Sequence, residues 1–265
     1  MDNGYNNPKA DENVLKLVEE LKVPLYRYVL DLKKFNQVYG AYLKAGVKNL
    51  EAVYDNLLAG ASYEVASKYG IKWILSGGNV ATESIMPESW SFKSGDLANM
   101  KNIYKKMTGK RLKRSNDFPL FGTLRFNFYK WISGIKVFYL LDYFDYNREN
   151  NKKMLMELYG YQDVGEKHEE NELTKWYQNY YLYEKWNIDK RKAHYSSLIN
   201  SGQMTRKEAL EKLLDLPIYP LLGIEDRVMK YKKRSHYDFK VDKWYNRISK
   251  FVKLWRKLKF LGIKG

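Results

Sequence analysis

Apolar positions recur at helical spacing near the start of the chain, where Val14, Leu17, Val18 and Leu21 fall on one face. Asn7 ahead of Pro8 supplies a cap and a first-turn proline, so a helix is predicted to begin there. Leu25 to Leu30 is a short, mostly apolar run with aromatics and reads as a strand. Asp31 caps a second predicted helix over about 32–44. Asp55 opens a third, with Leu57, Leu58, Ala61 and Val65 on one stripe, and Gly70 ends it. Ile71 to Leu75 reads as another strand, followed by a glycine turn from Ser76 to Glu83 and a further helix. This alternation predicts an α/β fold with parallel strands joined by crossover helices. A parallel sheet of two strands leaves faces and edges uncovered. Further strands are therefore expected upstream of the opening Asp2-Asn3-Gly4 turn, in a longer polypeptide or on a separate chain.

Beyond about residue 90 the pattern becomes mainly helical. Leu97, Met100, Ile103, Tyr104 and Met107 are spaced as a helix. Residues 118–146 are rich in aromatics and fit neither period. Helices are predicted over 147–158, stopped by Gly160, and over 171–185 and 189–200. Thr205 and Glu208 form a capping box for a helix over 206–214, which Pro217 stops. Phe251, Leu254, Trp255, Leu258 and Leu261 form an apolar stripe, with five basic residues between positions 250 and 259. Residues 1–92 are thus expected to form a partial α/β domain and 93–265 a mainly helical region.

Composition narrows the possible chemistry. The chain has no cysteine, which excludes disulfides, thiolate zinc sites and cysteine nucleophiles within it. A reducing cytoplasm fits that usage. No apolar run reaches 18 residues, so no membrane-spanning helix is predicted. The 47 lysines and arginines against 31 acidic residues give a net charge of +16, which suits a polyanionic partner. A solvated basic surface gives the same count. The 24 tyrosines can stack on bases, hold sugars or fill a core.

The turn after the strand at 71–75 is the main candidate for chemistry. In open α/β sheets ligands bind beyond the carboxyl ends of the strands. Ser76, Gly77 and Gly78 let backbone approach a phosphate, and the next helix offers N–H groups to an anion. Asn79 can hydrogen-bond a nucleotide or a substrate amide, and Glu83, one turn on, can hold Mg²⁺ on a polyphosphate. A plain tight turn with a capping serine uses the same residues. Lys167, His168 and Glu170 form a charged block that is either a solvated cluster or a phosphate contact. Lys190 and His194 share one helical face, and Arg191 is suited to a bidentate anion contact. His194 with Asp189 and Ser197 can equally form a capping network.

Ile-Leu-Ser-Gly-Gly-Asn-Val-Ala-Thr-Glu-Ser over 74–84, with Met86-Pro87-Glu88-Ser89-Trp90 after it, resembles the N-acetyl sugar amidotransferases of surface-polysaccharide synthesis, a PP-loop family. It is more loosely similar to the Gly-Thr-x-Asn-x-x-Glu segment of NAD synthetases. Asp2-Asn3-Gly4-Tyr5-Asn6 resembles the family's Asp-Asn-Gly-Trp-Asn. Lys167-His168-Glu169-Glu170 follows its Lys-His-x-Glu-Ser, with Asn171 departing. Ile188 to Ile199 and Ser201 to Arg206 follow it closely, with Asn187 where the family often has glycine. Trp176 and Gln178 also fit. The family's Ser-Gly-Gly-x-Asp-Ser loop and its cysteine pairs do not occur in this sequence.

The resemblance implies a partial Rossmann-like (HUP/PP-loop) sheet and ATP-dependent conversion of a sugar N-acetyl group to an acetamidino group. Cofactors would be ATP and Mg²⁺, with ammonia from a separate glutaminase subunit and an N-acetylated (nucleotide-)sugar as substrate. It assigns Glu83, Lys167 and His194 to catalysis and Glu83 also to the metal. Asp2, Asn3, Ser76, Gly77, Gly78 and Asn79 fall to the nucleotide, and His168, Glu170, Trp176, Lys190 and Arg191 to the sugar. A cytoplasmic location is expected, with peripheral membrane contact through the basic C-terminal helix; nucleic acid is not an expected partner. A tRNA-modifying PP-loop enzyme and an inactive remnant are the alternative readings.

Overall fold

The computed structural model describes residues 1–244, so the basic stripe at 251–261 lies outside the described residues. Asn7 caps α1 (Pro8–Glu20) by accepting from the Lys9 N–H, and Asp31 caps α2 (Leu32–Ala45) by accepting from that of Lys34. The third helix, α3, runs Ala52–Lys68. It begins ahead of Asp55, because Glu51 occupies the cap position and Asp55 sits in the first turn. Then come β1 (Trp73–Ser76), the one-turn α4 (Val80–Glu83), α5 (Leu97–Thr108) and α6 (Thr123–Asn127).

The expected strand at 25–30 does not form as a strand. Its only ladder contact among the described residues is a parallel bridge from Val29 to Asp2, with Asp2 N–H donating to Tyr28 O (2.8 Å) and Leu30 N–H to Asp2 O (3.0 Å). The partner of β1 comes instead from the aromatic segment. There β2 (Lys136–Tyr139) pairs with it in parallel, Trp73 opposite Lys136 and Ser76 opposite Tyr139. The architecture is mixed α/β, mainly helical with this small parallel sheet.

The rest is helical: α7 (Arg148–Tyr159), α8 (Glu172–Trp176), α9 (Lys190–Asn200), α10 (Arg206–Lys212) and α11 (Glu225–Met229). The helix predicted over 171–185 changes period after Trp176, where Tyr177–Lys185 is wound as a π-helix. Such stretches are rare and often lie at functional sites. The Thr205–Glu208 capping box forms as predicted, and Gly160 closes α7 in the left-handed conformation.

One hydrophobic core joins α2, the start of α3, α5 and the π-helix, from Leu30 and Phe35 through Trp176 and Tyr181 to Phe239. It therefore spans both sides of residue 92. A smaller cluster of Tyr63, Ala66, Phe121, Tyr129 and Ile135 lies against Ile74 of β1. Two glycines permit close backbone approach. Gly60 lets α3 touch the 119–121 segment, where an added Cβ would sit 1.9 Å from Pro119 O. Gly46 has φ +64 and an added Cβ there would sit 1.9 Å from Lys232 O. No described helix is long and apolar enough to cross a membrane.

Candidate functional site

Parallel pairing puts the carboxyl ends of β1 and β2 on one side, and the glycine turn lies there. Gly78 is held close: an added Cβ would meet the Tyr139 ring at 3.2 Å and Glu83 Oε2 at 3.4 Å. Gly77 has nothing within 4 Å of that position and leaves backbone open to an incoming group. Ser76 Oγ accepts from the Gly78 N–H (3.2 Å). Asn79 turns inward and caps α4, its Oδ1 accepting from Thr82 N–H (2.8 Å) and Thr82 Oγ1 (3.0 Å). Asp142, just after β2, accepts from the Val80 N–H at 2.7 Å. The expected supply of free N–H groups at this helix start is thereby reduced, since two of them already have acceptors.

Two other segments converge on the turn. The loop before α8 brings Lys167, whose Nζ lies 2.7 Å from Glu83 Oε1 and donates to Thr82 Oγ1 at 3.1 Å. From the other side α9 docks on α4, with Ile85 N–H donating to Ser197 Oγ (3.0 Å) and Lys190 Nζ reaching Met86 Sδ (3.2 Å). His194, one turn beyond Lys190, meets His168 ring to ring at 5.7 Å. His168 holds a left-handed φ of +68, which aims it at this cleft, and its Nδ1 lies 3.8 Å from Glu170 Oε1.

The electrostatics of the cleft are those of crowded charge. Burial pushes the Lys167 ammonium below the usual lysine range, against the opposing pull of Glu83. Burial likewise lowers Lys190, while Glu51 and Asp55 act to raise it. His194 is pushed down to about 2 by burial and by the positive charges of His168, Lys190, Lys167 and Arg148, so its imidazole is neutral. Glu170 ends below its ordinary value: burial works to raise it, and the hydrogen bond from His168 with the His168 and Lys167 charges outweighs that.

Glu51 and Asp55 are the site residues that sequence reasoning missed. Both sit at the start of α3, and crowding by neighbouring atoms with mutual repulsion pushes Asp55 up, against the pull of Lys190. Glu51 is also raised by burial, against hydrogen bonds from Thr174 and Gln178 and the charges of His168 and Lys190. Perturbed carboxyls beside cations in a cleft are a recurrent mark of functional sites. Neither lies in a recognisable motif, and Asp55 reads from sequence as a helix opener. Arg148 was also missed; it lines a cavity of about 390 Å³ with Lys167, Lys190 and His194.

Of the remaining candidates, Arg191 lines the same cavity as Lys167, Lys190 and His194, while Trp176, Asp2 and Asn3 do not. Trp176 is completely buried in the core and donates its Nε1–H to Glu225 (2.9 Å). Arg191 spends its fork on Asp189 (Nη2 to Oδ2 2.8 Å) and on Asp215 O (2.9 Å). Asp2 is lowered by the Gly4 N–H and by Arg27, with which it pairs at 2.7 Å. Asn3 is buried and accepts from Asn171 Nδ2 at 2.8 Å.

Among the described residues no group of three or more carboxylate or imidazole side chains is placed to hold a metal ion. Mg²⁺ does not require such a cage, since it binds through one or two carboxylates plus substrate phosphates and waters. Glu83, exposed beside the Gly78 backbone, fits that limited role.

Fold and site together define an α/β protein with a charged cleft beyond the ends of parallel strands. Residues 170–222 match the family described as LPS biosynthesis protein WbpG-like, C-terminal domain. The matched segment holds Glu170, Trp176, Lys190, Arg191 and His194, and it points to lipopolysaccharide biosynthesis. No curated protein matches the chain.

Proposed function

We propose that the protein is part of an ATP-dependent amidotransferase that converts the acetamido group of a sugar to an acetamidino group in surface-polysaccharide biosynthesis. The observation that carries this reading is the junction of Glu83, Lys167, Lys190 and His194 at the glycine turn. The match of the α9 segment to lipopolysaccharide biosynthesis proteins supports it.

The chemistry needs activation, because an amide oxygen leaves poorly. The amide oxygen attacks the α-phosphorus of ATP, and the bond to pyrophosphate breaks. Ammonia then adds to the imidate carbon, AMP departs with the oxygen, and one proton is released. Mg²⁺ on Glu83 would offset phosphate charge during the first step. Lys167 and Lys190 bring cations to the same place, where their partial burial strengthens their pull on phosphate charge. His194, held neutral, can donate or accept a hydrogen bond without adding charge. Asp55, raised to about 7 beside Lys190, would accept the released proton. Ammonia would come from a separate glutaminase subunit.

The test is ATP–pyrophosphate exchange driven by N-acetylated nucleotide-sugars, with ammonium chloride as nitrogen donor and mass detection of the exchange of O for NH. It is run on this chain and on a polypeptide extended with the reading frame upstream of Met1. Acceptor-dependent exchange with the mass change is expected from the extended form. Exchange driven by tRNA in place of sugar, or none with any acceptor, overturns the reading.

A further inference from the structure

A large cavity lies outside this cleft. It measures about 860 Å³, within the size range of small-molecule sites. Its walls come from the α2–α3 connection, the stretch after α4, Trp186 and the segment at 233–238. Lys48 and Lys233 both lie over the Trp186 ring, at 5.1 and 5.6 Å from its centroid. Lys48 donates to Ser89 O at 2.6 Å, and Arg234 reaches Ala45 O at 3.5 Å. None of these three cations has a carboxylate within 4 Å among the described residues. Asp238, on the rim, is used by the Ser235 N–H at 2.9 Å.

Beneath them Lys185, almost fully buried, donates to the carbonyls of Val228 (2.7 Å) and Tyr231 (2.6 Å). Burial pushes the Lys185 ammonium below the usual lysine range, and the nearby Lys233 charge pushes it the same way. Like charges around one ring repel, and an anion between them removes the repulsion. The arrangement is also fixed in advance. Arg234 N–H donates to Gly46 O (2.9 Å), and Val47 bridges Arg234 in parallel, so the segment with Lys233 and Arg234 is tied to the one with Lys48.

We propose that this cavity is a second ligand site, which binds a diphosphate-bearing small molecule through Lys48, Lys233 and Arg234. Lys48, Lys93, Lys233 and Arg234 line the recess against Glu88 and Asp238, an excess of two positive charges that matches a group with at least two negative charges. The volume leaves room for a body beyond the phosphates, which the rings of Phe92 and Tyr237 would contact. This site does not depend on the amidotransferase reading and is separate from the Glu83 cleft.

The experiment is titration of the protein with pyrophosphate, UDP and uridine, followed by calorimetry and by tryptophan fluorescence. Pyrophosphate and UDP are expected to bind saturably and uridine not to bind. Lys48→Gln and Lys233→Glu, each shown folded by an unchanged thermal transition, are expected to weaken binding by roughly tenfold or more. Trp186→Phe should remove the fluorescence change and keep the heat. Lys167→Ala, in the other cleft, should leave binding at this site unaltered. No saturable binding by either phosphate probe overturns the proposal. So does binding that the Lys48 and Lys233 variants leave unchanged, or that Lys167→Ala abolishes.

Discussion

Lys167 reaches across the cleft to place its ammonium 2.7 Å from the Glu83 carboxylate while also donating to Thr82. The contact joins the glycine turn after β1 to the loop before α8. Lys167 is largely enclosed and Glu83 is exposed, so the pair is asymmetric: 15% against 42% side-chain exposure. In the proposed reaction such a cation, held by an accessible carboxylate, would exchange that partner for an incoming phosphate.

Glu83→Gln tests this directly. A half-exposed ion pair contributes at most about 1 kcal/mol to stability, so the melting transition should barely move. If Glu83 holds Mg²⁺ and positions Lys167, acetamidino product in the extended enzyme should fall by roughly a hundredfold or more. Lys167→Ala should match it, and the double variant should add little to either single one. Near-normal turnover in Glu83→Gln would remove the residue from the site.

Asp55 gives a pH prediction of definite sign. Asp55 is solvent-exposed at its surface, yet crowding by neighbouring atoms and the Glu51 charge raise its carboxyl from 3.8 to about 7, so between those values the folded protein holds a proton there that the unfolded chain has released. Stability from this group is therefore present at acid pH and lost as pH rises through about 7. Asp55→Asn should raise the melting temperature at about pH 8 and change it little at about pH 5. It should also flatten the acid limb of product formation if Asp55 accepts the proton released by ammonia, because that role needs the ionised carboxylate. An unchanged Tm at the higher pH would contradict the raised carboxyl.

The buried histidines act with the opposite sign. His236 is pushed from 6.5 to about 3, mainly by burial, stacked 4.2 Å from Phe92 and with Nδ1 3.0 Å from Asn99 Oδ1. Its folded form is neutral where the unfolded form takes a proton, so stability is lost as pH falls below 6.5. The limiting slope is about 1.4 kcal/mol per pH unit for one such group. His236→Gln should lower stability at neutral pH, through the disturbed packing, yet reduce the slope below it. Denaturant midpoints measured across that range distinguish the two effects. A slope equal to wild type would mean that His236 ionises freely in the folded protein.

Much of the helical frame was legible because caps and glycines are local signals. Asn7, Asp31, Gly160 and the Thr205–Glu208 box each act within a few residues of the helix end they set. The sheet was harder. The run at 25–30 has strand-like residues but only the backbone of Asp2 to pair with, and β2 is hidden among aromatics that also suit helix. Lys190 and His194 were placed together by helical spacing alone. The burial of Trp176 was not legible, because its partner Glu225 lies far along the chain and carries no motif, and Arg191 spends its fork on the adjacent Asp189 carboxylate. Glu51 and Asp55 went unseen for a similar reason: the groups that perturb them, Lys190 among them, come from distant parts of the chain.

Gly46 carries the firmest stability prediction. Its φ of +64 is in the left-handed region, which costs an L residue about 1 kcal/mol or more. A methyl group there would also sit 1.9 Å from Lys232 O, a backbone atom tied down by the Arg234 N–H bond to Gly46 O. Neither strand of backbone can yield without breaking that bond or the C-terminal cap of α2, where the Gly46 N–H donates to Tyr42 O and Leu43 O. Gly46→Ala should therefore destabilise by about 3 kcal/mol or more, well beyond a typical surface substitution. Gly70→Ala is the control: it has a comparable φ of +67 with nothing within 4 Å of the added carbon, so it should cost only the conformational part. Equal losses in the two variants, read as denaturant midpoints at a common slope, would show that the contact with Lys232 does not constrain this turn.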